Sequence, residues 1–332
     1  MRIVVLFAAL LLASASARAI EDNTVEIAYS GSTAKVTVAS NIKSYVSVTS
    51  GTSSHVKIVQ SESFAGVDAT DENEDGEIIY VLSGSSTDGE FYMEGSFKAT
   101  VELSGLTLTN PTGAAIAIMD GKRIEVSVKK GTTNTLTDGA NETYNGCFHC
   151  KGHTKFKGKG TLTVVGNSKH AIYSKEYLEV KNCALKVTKA AKDGIHCKEY
   201  FLQESGSIAI SGVADDGIQV EISGTTPTGT IAGHEEEDSG NFYQDAGTLT
   251  IKDFGGSAIK ADGSVKLSGT MSGFSLSDVS EYSSGIYSVL NDNNGRKTYY
   301  DLNGRQLPSA DALHKGVILQ KQNGETKKAI VK

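Results

Sequence analysis

A short apolar motif recurs along this 332-residue chain and constrains its fold more than any other feature. Each copy is a tetrapeptide with an apolar second residue, and successive centres lie 32, 24, 23, 23, 41 and 27 residues apart. A period near 23 residues with longer gaps is typical of a solenoid built from short β-strands. We therefore predict stacked β coils whose motifs centre on Ile116, Phe148, Ile172, Ile195, Ile218, Ile259 and Ile286.

Composition agrees with many short strands joined by tight turns. The chain has 36 Gly and only 3 Pro, and apolar residues alternate with polar ones through the repeats. Each coil is expected to hold three strands, for example residues 171–174, 178–180 and 184–187. Because the formal net charge is −7, we do not expect the chain to bind nucleic acid.

The two ends of the chain differ from the repeats. Residues 1–19 combine a basic start, an apolar run and small residues, which is the pattern of a secretory signal peptide. We divide the rest into an N-terminal β cap (residues 20–75), the solenoid (residues 76–290) and a small β module (residues 296–332). We expect a secreted or cell-surface monomer without a transmembrane segment, and the periplasm is the alternative location.

The four cysteines are predicted to be free thiols in the core. Cys150 and Cys197 hold the same place two coils apart. Coils stack at ~4.8 Å, so the two Cα atoms would be ~9.6 Å apart, which is too far for a disulfide. The same interpretation extends to Cys147 and Cys183.

Several motifs, taken in order, resemble a known family. They are the segments 113–116, 131–139 and 158–164 and the Asp-Gly-Ile turns at Asp193 and Asp216. The set resembles the carbohydrate-binding, polysaccharide-lyase-like β-helix family first described from a cellulolytic clostridium. This resemblance implies a right-handed parallel β-helix that binds plant polysaccharide, including acidic pectic chains, and also binds calcium. Lyase activity is not an established property of that family.

The C-terminal segment carries a second resemblance. The run DLNGR at 301–305, the run KGV at 315–317 and the basic last residue are similar to the sorting segments of exported Bacteroidetes proteins. The segment is shorter than most of those domains. The resemblance implies delivery to the cell surface.

Three columns of outward side chains are predicted on the middle coils. Strand side chains alternate, so the first, third and fifth residues after each motif centre point outward. Rings stacked at ~4.8 Å would form a platform for the apolar faces of sugars, and lysines attract uronate carboxylates. Such stacking also stabilises a solenoid that has no ligand. The predicted ligand-binding residues are His149, Tyr173 and His196, then Lys151, Lys175 and Lys198, then His153, Tyr177 and Tyr200.

A group of carboxylates is predicted beside these columns. Asp193 and Asp216 each lie two residues before a motif centre in neighbouring coils, and Asp215 precedes Asp216. Converging carboxylates repel one another unless a proton or a cation lies between them, and Ca²⁺ prefers oxygen ligands. The alternative is that each Asp starts a turn and accepts a backbone N–H. We predict Asp193, Asp215 and Asp216 as calcium ligands.

Three functions remain open at this point. The first is non-catalytic binding of plant or other polysaccharide, acidic chains included, with the assistance of calcium. The second is a calcium-dependent uronate lyase, in which a base such as Lys192 or Lys198 would act beside the Asp193 turn. An exposed lysine holds its proton too tightly for that role, so we favour binding without catalysis. The third is a surface adhesin that binds another protein.

Overall fold

A computed structural model of the chain describes residues 20–49, 53–66, 76–224 and 238–281. It also describes the backbone of five short segments at 288–289, 298–300, 306–307, 316–322 and 325–331. The predicted signal peptide and the DLNGR run lie outside the described residues. The described part consists of β-strands joined by turns, and it includes two short 3-10 helices at Ser40–Ile42 and Leu276–Asp278.

Thirty-one strands follow one another along the described residues. In chain order they are β1 (Thr24–Ser30), β2 (Thr33–Val38), β3 (Val46–Val48), β4 (His55–Gln60), β5 (Ile78–Ser86), β6 (Glu90–Glu94), β7 (Ala99–Asn110), β8 (Ile116–Ile118), β9 (Ile124–Val128), β10 (Thr133–Asp138), β11 (Gly146–Cys150), β12 (Thr154–Gly158), β13 (Thr161–Gly166), β14 (His170–Ser174), β15 (Leu178–Lys181), β16 (Ala184–Ala190), β17 (Ile195–Lys198), β18 (Tyr200–Gln203), β19 (Ser207–Val213), β20 (Ile218–Glu221), β21 (Asn241–Gln244), β22 (Thr248–Phe254), β23 (Ile259–Ala261), β24 (Val265–Leu267), β25 (Thr270–Ser272), β26 (Val279–Glu281), β27 (Ser288–Val289), β28 (Thr298–Tyr300), β29 (Gln306–Leu307), β30 (Gly316–Gln322) and β31 (Glu325–Val331).

The strands form three parallel stacks, which confirms the predicted parallel β-helix. Sheet 1 contains β4, β6, β8, β11, β14, β17, β20, β23 and β26. Sheet 2 contains β9, β12, β15, β18, β21, β24 and β27. Sheet 3 contains β1, β5, β7, β10, β13, β16, β19, β22 and β25. The long β7 joins sheets 2 and 3, since it pairs with both β9 and β10.

The repeated apolar residues form the core because their positions coincide from coil to coil. In sheet 1, Phe148 pairs with Ile172, Ile172 with Ile195, and Ile195 with Ile218, and all four are fully buried. One coil consists of β14, β15 and β16, close to the three strands expected from the sequence. The four cysteines are free and buried in the core, as predicted. Stacking of equivalent apolar side chains therefore fixes the register of the outward residues as well.

The last coil differs from the sequence prediction. We expected Ile286 to follow Ile259, but the partner of Ile259 in the next coil is Val279. A short 3-10 helix with a capping box at Ser275 leads directly into Val279, so the coil closes after 20 residues, from 259 to 279. Residues 288–289 pair with β24 in sheet 2 instead, and residue 287 lies outside the described residues.

The two ends of the described chain use antiparallel pairing. At the N-terminus, β1 and β4 are parallel to the coils that follow, whereas β2 and β3 are antiparallel to β1 and β4. At the C-terminus, β28 to β31 form a four-stranded antiparallel sheet, within the segment predicted as a small β module. The domain boundaries stay predictions.

Candidate functional site

The first predicted column forms a continuous row of rings on sheet 1. His149, Tyr173 and His196 lie on β11, β14 and β17 and are paired directly in the strand register. The His149 and Tyr173 ring centroids are 5.1 Å apart with planes 5° apart, and those of Tyr173 and His196 are 5.4 Å apart. The periodicity of the sequence thus brings these three residues together as predicted.

The rings of this row cover one another, which changes how a ligand can meet them. Tyr173 is 8% exposed and His196 is 7% exposed, because the faces of Tyr173 lie against His149 and His196. Tyr144 packs against His149 with ring centroids 5.3 Å apart. A sugar ring therefore cannot lie flat on Tyr173, as the platform interpretation assumed. The row presents ring edges with their nitrogen and hydroxyl groups.

The third predicted column forms a second row. The ring centroids of His153 and Tyr177 are 4.2 Å apart, and those of Tyr177 and Tyr200 are 4.7 Å apart. Tyr200 is only 2% exposed, and its hydroxyl donates a 2.8 Å hydrogen bond to Glu179. His153 and Tyr177 are half-buried. In this row the accessible groups are His153 and Tyr177, and the buried Tyr200 ring packs against Tyr177.

The predicted lysine column borders both rows. Lys151 and Lys175 are exposed, and Lys198 is half-buried. The Lys198 Nζ lies 3.5 Å from Glu221 Oε2, and the same carboxylate oxygen is 3.4 Å from His196 Nε2. Lys151 and Lys175 are consequently the two members of this column that present their charge most openly to solvent.

The predicted carboxylates do converge. One ligand atom each of Asp193, Asp215 and Asp216 lies within 4.8 Å of the other two. The turn interpretation also holds here, because Asp193 Oδ1 accepts the backbone N–H of Asp216 at 3.1 Å, and Asp216 Oδ1 accepts that of Ser257 at 2.7 Å. Each of these two aspartates thus caps the next coil with one oxygen and leaves the other oxygen for a further partner.

The second oxygen of Asp193 is taken by two imidazoles. His196 Nδ1 lies 3.0 Å and His170 Nδ1 lies 3.1 Å from Asp193 Oδ2. Burial disfavours the carboxylate, but the hydrogen bonds from His170 and His196 outweigh it and hold the pKa of Asp193 well below its usual range. Burial also lowers the pKa of His170. We call His170, Asp193 and Asp216, which lie at the start of the sheet 1 strands, the leading corner.

The second oxygen of Asp216 faces a lysine that the sequence did not single out. Asp216 is 2% exposed, and its Oδ2 has no hydrogen bond in the described part of the chain. Lys260 Nζ lies 3.3 Å away. Burial acts to lower the pKa of Lys260, but Asp216, Asp215 and Asp193 raise it above the usual value. Lys260 is therefore a cation at this site and a poor proton acceptor.

Another cluster was missed by the sequence reasoning. His153, Glu176 and Glu199 follow three successive sheet 1 strands, and their ligand atoms all lie within 4.8 Å of one another. Glu176 and Glu199 hold equivalent places in neighbouring coils, four residues after Ile172 and Ile195. That repetition is the signal that would have found them. We call these three residues the trailing corner.

The two glutamates of the trailing corner interact strongly. Burial and then the hydrogen bond with Glu199 raise the pKa of Glu176 to about 8. Burial also acts to raise the pKa of Glu199, but the bonds from His153 and Glu176 lower it overall. His153 Nε2 lies 3.3 Å from Glu199 Oε2. The pair therefore holds one proton at neutral pH, mainly on Glu176.

Among the described residues, no helix has the length and apolar character needed to cross a membrane.

Comparisons with known proteins agree with this architecture. A family model described as carbohydrate-binding domain-containing protein matches residues 66–325. A protein of that description from Acetivibrio thermocellus is 28% identical over an alignment of 112 residues, and the alignment covers 31% of this chain and 39% of the relative's length. A solved structure of the polysaccharide lyase-like protein from C. thermocellum, a gadolinium derivative, is similar with a TM-score of 0.57. It is 22% identical and covers 80% of this chain and 96% of its own, so it shows a shared fold.

Proposed function

This chain belongs to the carbohydrate-binding domain-containing family, and we propose that it is a secreted, non-catalytic protein that binds polysaccharide, acidic chains included. The observation that carries the proposal is the surface of sheet 1. Over three coils it presents two rows of ring edges beside the exposed ammonium groups of Lys151 and Lys175.

The edges of the rings suit a ligand that is rich in hydroxyl groups. Imidazole nitrogens and the hydroxyl groups of Tyr173 and Tyr177 can donate or accept hydrogen bonds, as the hydroxyl groups of a sugar do. The equivalent groups recur with each coil, so an extended chain can make similar contacts along the solenoid axis. Lys151 and Lys175 attract carboxylates as point charges, which favours uronate-containing chains over neutral ones.

Calcium assistance remains part of the proposal. Asp215 is exposed, and a ligand oxygen of the buried Asp216 lies within 4.8 Å of one of Asp215, with the Lys260 ammonium 3.3 Å from Asp216 Oδ2, which suits a hard cation with oxygen ligands. Asp193 is a weaker candidate ligand, since both of its oxygens already accept hydrogen bonds. A calcium ion would replace Lys260 as the cation facing Asp216, and it would attract uronate carboxylates there.

Retention on a polygalacturonate affinity gel tests the proposal. We expect the double variant Lys151→Glu, Lys175→Glu to bind about tenfold more weakly or worse, a loss of ~1.4 kcal/mol or more. The matched control is Lys186→Glu with Lys252→Glu, which makes the same change of charge at exposed positions of sheet 3. Equal retention of both variants, or failure of the wild type to bind any glycan on an array, would reject this face as the binding site.

Calcium and catalysis are tested separately with the same substrate. The variant Asp215→Asn should remove any gain in retention that calcium gives over a chelator, while the basal retention stays. A lyase would release an unsaturated product that absorbs ultraviolet light. Its appearance between pH 6 and 10 with calcium present would overturn the non-catalytic assignment.

Secretion is proposed from residues 1–19 alone. Mass measurement of the N-terminus after expression with an export pathway would show removal of about the first 19 residues if they form a signal peptide. An intact N-terminus on the exported protein would contradict the assignment of residues 1–19 as a cleaved signal peptide. Delivery to the cell surface rather than the periplasm depends on the C-terminal segment and is checked by accessibility to protease on whole cells.

A further inference from the structure

The trailing corner has the geometry of a metal site that is separate from the predicted calcium ligands. His153 follows β11, Glu176 lies between β14 and β15, and Glu199 lies between β17 and β18. The carboxylates of the leading corner, Asp193 and Asp216, precede β17 and β20, so the two groups lie at opposite ends of the sheet 1 strands. One imidazole and two carboxylates are brought together here by three consecutive coils.

The distances suit a small divalent ion. Zinc held by nitrogen and oxygen ligands has bonds of ~2.0–2.1 Å, and tetrahedral geometry then places two ligand atoms ~3.3 Å apart. The His153 Nε2 to Glu199 Oε2 distance is 3.3 Å. All three ligand atoms lie within 4.8 Å of one another, so a small rotation of the half-buried Glu176 side chain completes the set.

The protein positions these ligands firmly. The His153 ring packs on Tyr177, which packs on Tyr200, and the backbone N–H of Glu199 donates to the Glu221 carbonyl at 2.8 Å. The position equivalent to Glu176 in the preceding coil is Gly152. A Cβ there would lie 2.1 Å from the Lys122 carbonyl oxygen, so no side chain fits, and the next residue, His153, reaches the corner instead.

We propose that His153, Glu176 and Glu199 bind one divalent first-row transition-metal ion, with Zn²⁺ as the representative. Calcium is disfavoured, because it takes oxygen ligands and this set includes an imidazole nitrogen. His153 and Glu176 are half-buried, so solvent reaches this corner, and a water molecule or an oxygen of a bound ligand can complete the coordination of the ion. The inference stands whether or not the protein binds glycans.

Cobalt titration of the chelator-stripped full chain tests the proposal. Co²⁺ in a site with four or five ligands absorbs visible light much more strongly than the aqueous ion, and excess Zn²⁺ should remove this absorption. We expect one Co²⁺ per chain in the wild type. The variants His153→Gln and Glu176→Gln should each weaken binding at least tenfold. Neither change is in the core, and circular dichroism at matched temperatures confirms that each variant is folded.

Two controls keep the result interpretable. Asp215→Asn, at the exposed carboxylate beside the leading corner, should bind Co²⁺ as the wild type does. His170→Gln should do the same, although His170, Asp193 and His196 also bring three potential ligand atoms within 4.8 Å. The proposal is overturned if no Co²⁺ or Zn²⁺ binds at millimolar concentration, which would mean that a shared proton alone joins the glutamates. It is equally overturned if only His170→Gln removes the binding.

Discussion

The two corners of sheet 1 contain the same kinds of side chain but use them in opposite ways. At the leading corner, Asp193 Oδ2 is hydrogen-bonded with His196 Nδ1 and Asp193 Oδ1 accepts the backbone N–H of Asp216, so a donor faces each of its oxygens, while its own backbone N–H donates to His170 Nδ1. At the trailing corner, the carboxyl groups of Glu176 and Glu199 face each other, with His153 as the nearest imidazole. A donor faces each carboxylate oxygen of Asp193 at one end of the strands, whereas at the opposite end two carboxyl groups share one proton beside a single imidazole.

This difference separates a stabilising cluster from one that is suited to bind an ion. A buried carboxylate with matched donors stabilises the fold, and removing it leaves those donors without partners. Two carboxyl groups that face each other cost free energy unless a proton or a cation lies between them. The leading corner is therefore expected to govern stability, and the trailing corner is expected to respond to protons and metal ions.

The largest effect should come from removing the central acceptor of the leading corner. Asp193→Ala should lower the free energy of unfolding by about 3–5 kcal/mol, since it leaves the buried His196 imidazole and the backbone N–H of Asp216 without their acceptor. Glu176→Ala at the trailing corner should cost less than about 1 kcal/mol. Urea denaturation of both variants measures the two losses in free energy of unfolding. A loss below about 1 kcal/mol for Asp193→Ala would contradict the stabilising role of the leading corner.

The second effect is a pH dependence of stability that comes from His149, which lies in β11. Burial, and then the charge of Lys169, lower the pKa of His149 from 6.5 to about 4. Below pH 6.5 His149 binds a proton in the unfolded chain but not in the folded chain. The contribution of neutral His149 to the free energy of unfolding is therefore present above pH 6.5 and is lost as the pH falls towards about 4.

The variant His149→Phe keeps a ring against Tyr173 but cannot titrate. Its stability should fall by about 2 kcal/mol less than that of the wild type between pH 7 and pH 4. Urea midpoints at several pH values measure the difference. Parallel curves for the two proteins would show that His149 is protonated as easily in the fold as in the unfolded chain.

The opposite pH dependence is expected at the trailing corner of the metal-free protein. The pKa of Glu176 is raised from 4.5 to about 8. The contribution of this carboxyl group to the free energy of unfolding is therefore fully present below pH 4.5 and is lost as the pH rises through about 8. Glu176→Gln cannot lose a proton and should be more stable than the wild type by about 1 kcal/mol at pH 9, after allowance for solvent screening. Thermal unfolding with a chelator present measures this, and identical curves at pH 9 would contradict it.

The smallest effect is expected outside both corners. The double variant Lys151→Glu, Lys175→Glu changes exposed charges and should alter the free energy of unfolding by less than about 0.5 kcal/mol. A larger loss in a urea titration would show that these lysines are part of the fold, and weaker glycan retention could then no longer be assigned to the lost charges.

Much of the fold and of the ring rows follows from the sequence. The spacing of the apolar centres from Phe148 to Ile218 places His149, Tyr173 and His196 in one row, and the structure has that row. The convergence of Asp193 with Asp215 and Asp216 follows in the same way. These predictions succeed because in-register strands repeat side-chain positions coil after coil, so a local pattern fixes a distant contact.

The tertiary structure decided what repetition does not encode. It determined that ring faces cover one another, that Lys260 reaches Asp216 from a strand 44 residues along the chain, from 216 to 260, and that Val279 rather than Ile286 follows Ile259. The length of an inserted segment does not specify where the chain rejoins the stack. Side-chain rotation and the closure of irregular coils depend on all neighbouring atoms at once, and only the folded chain brings those atoms together.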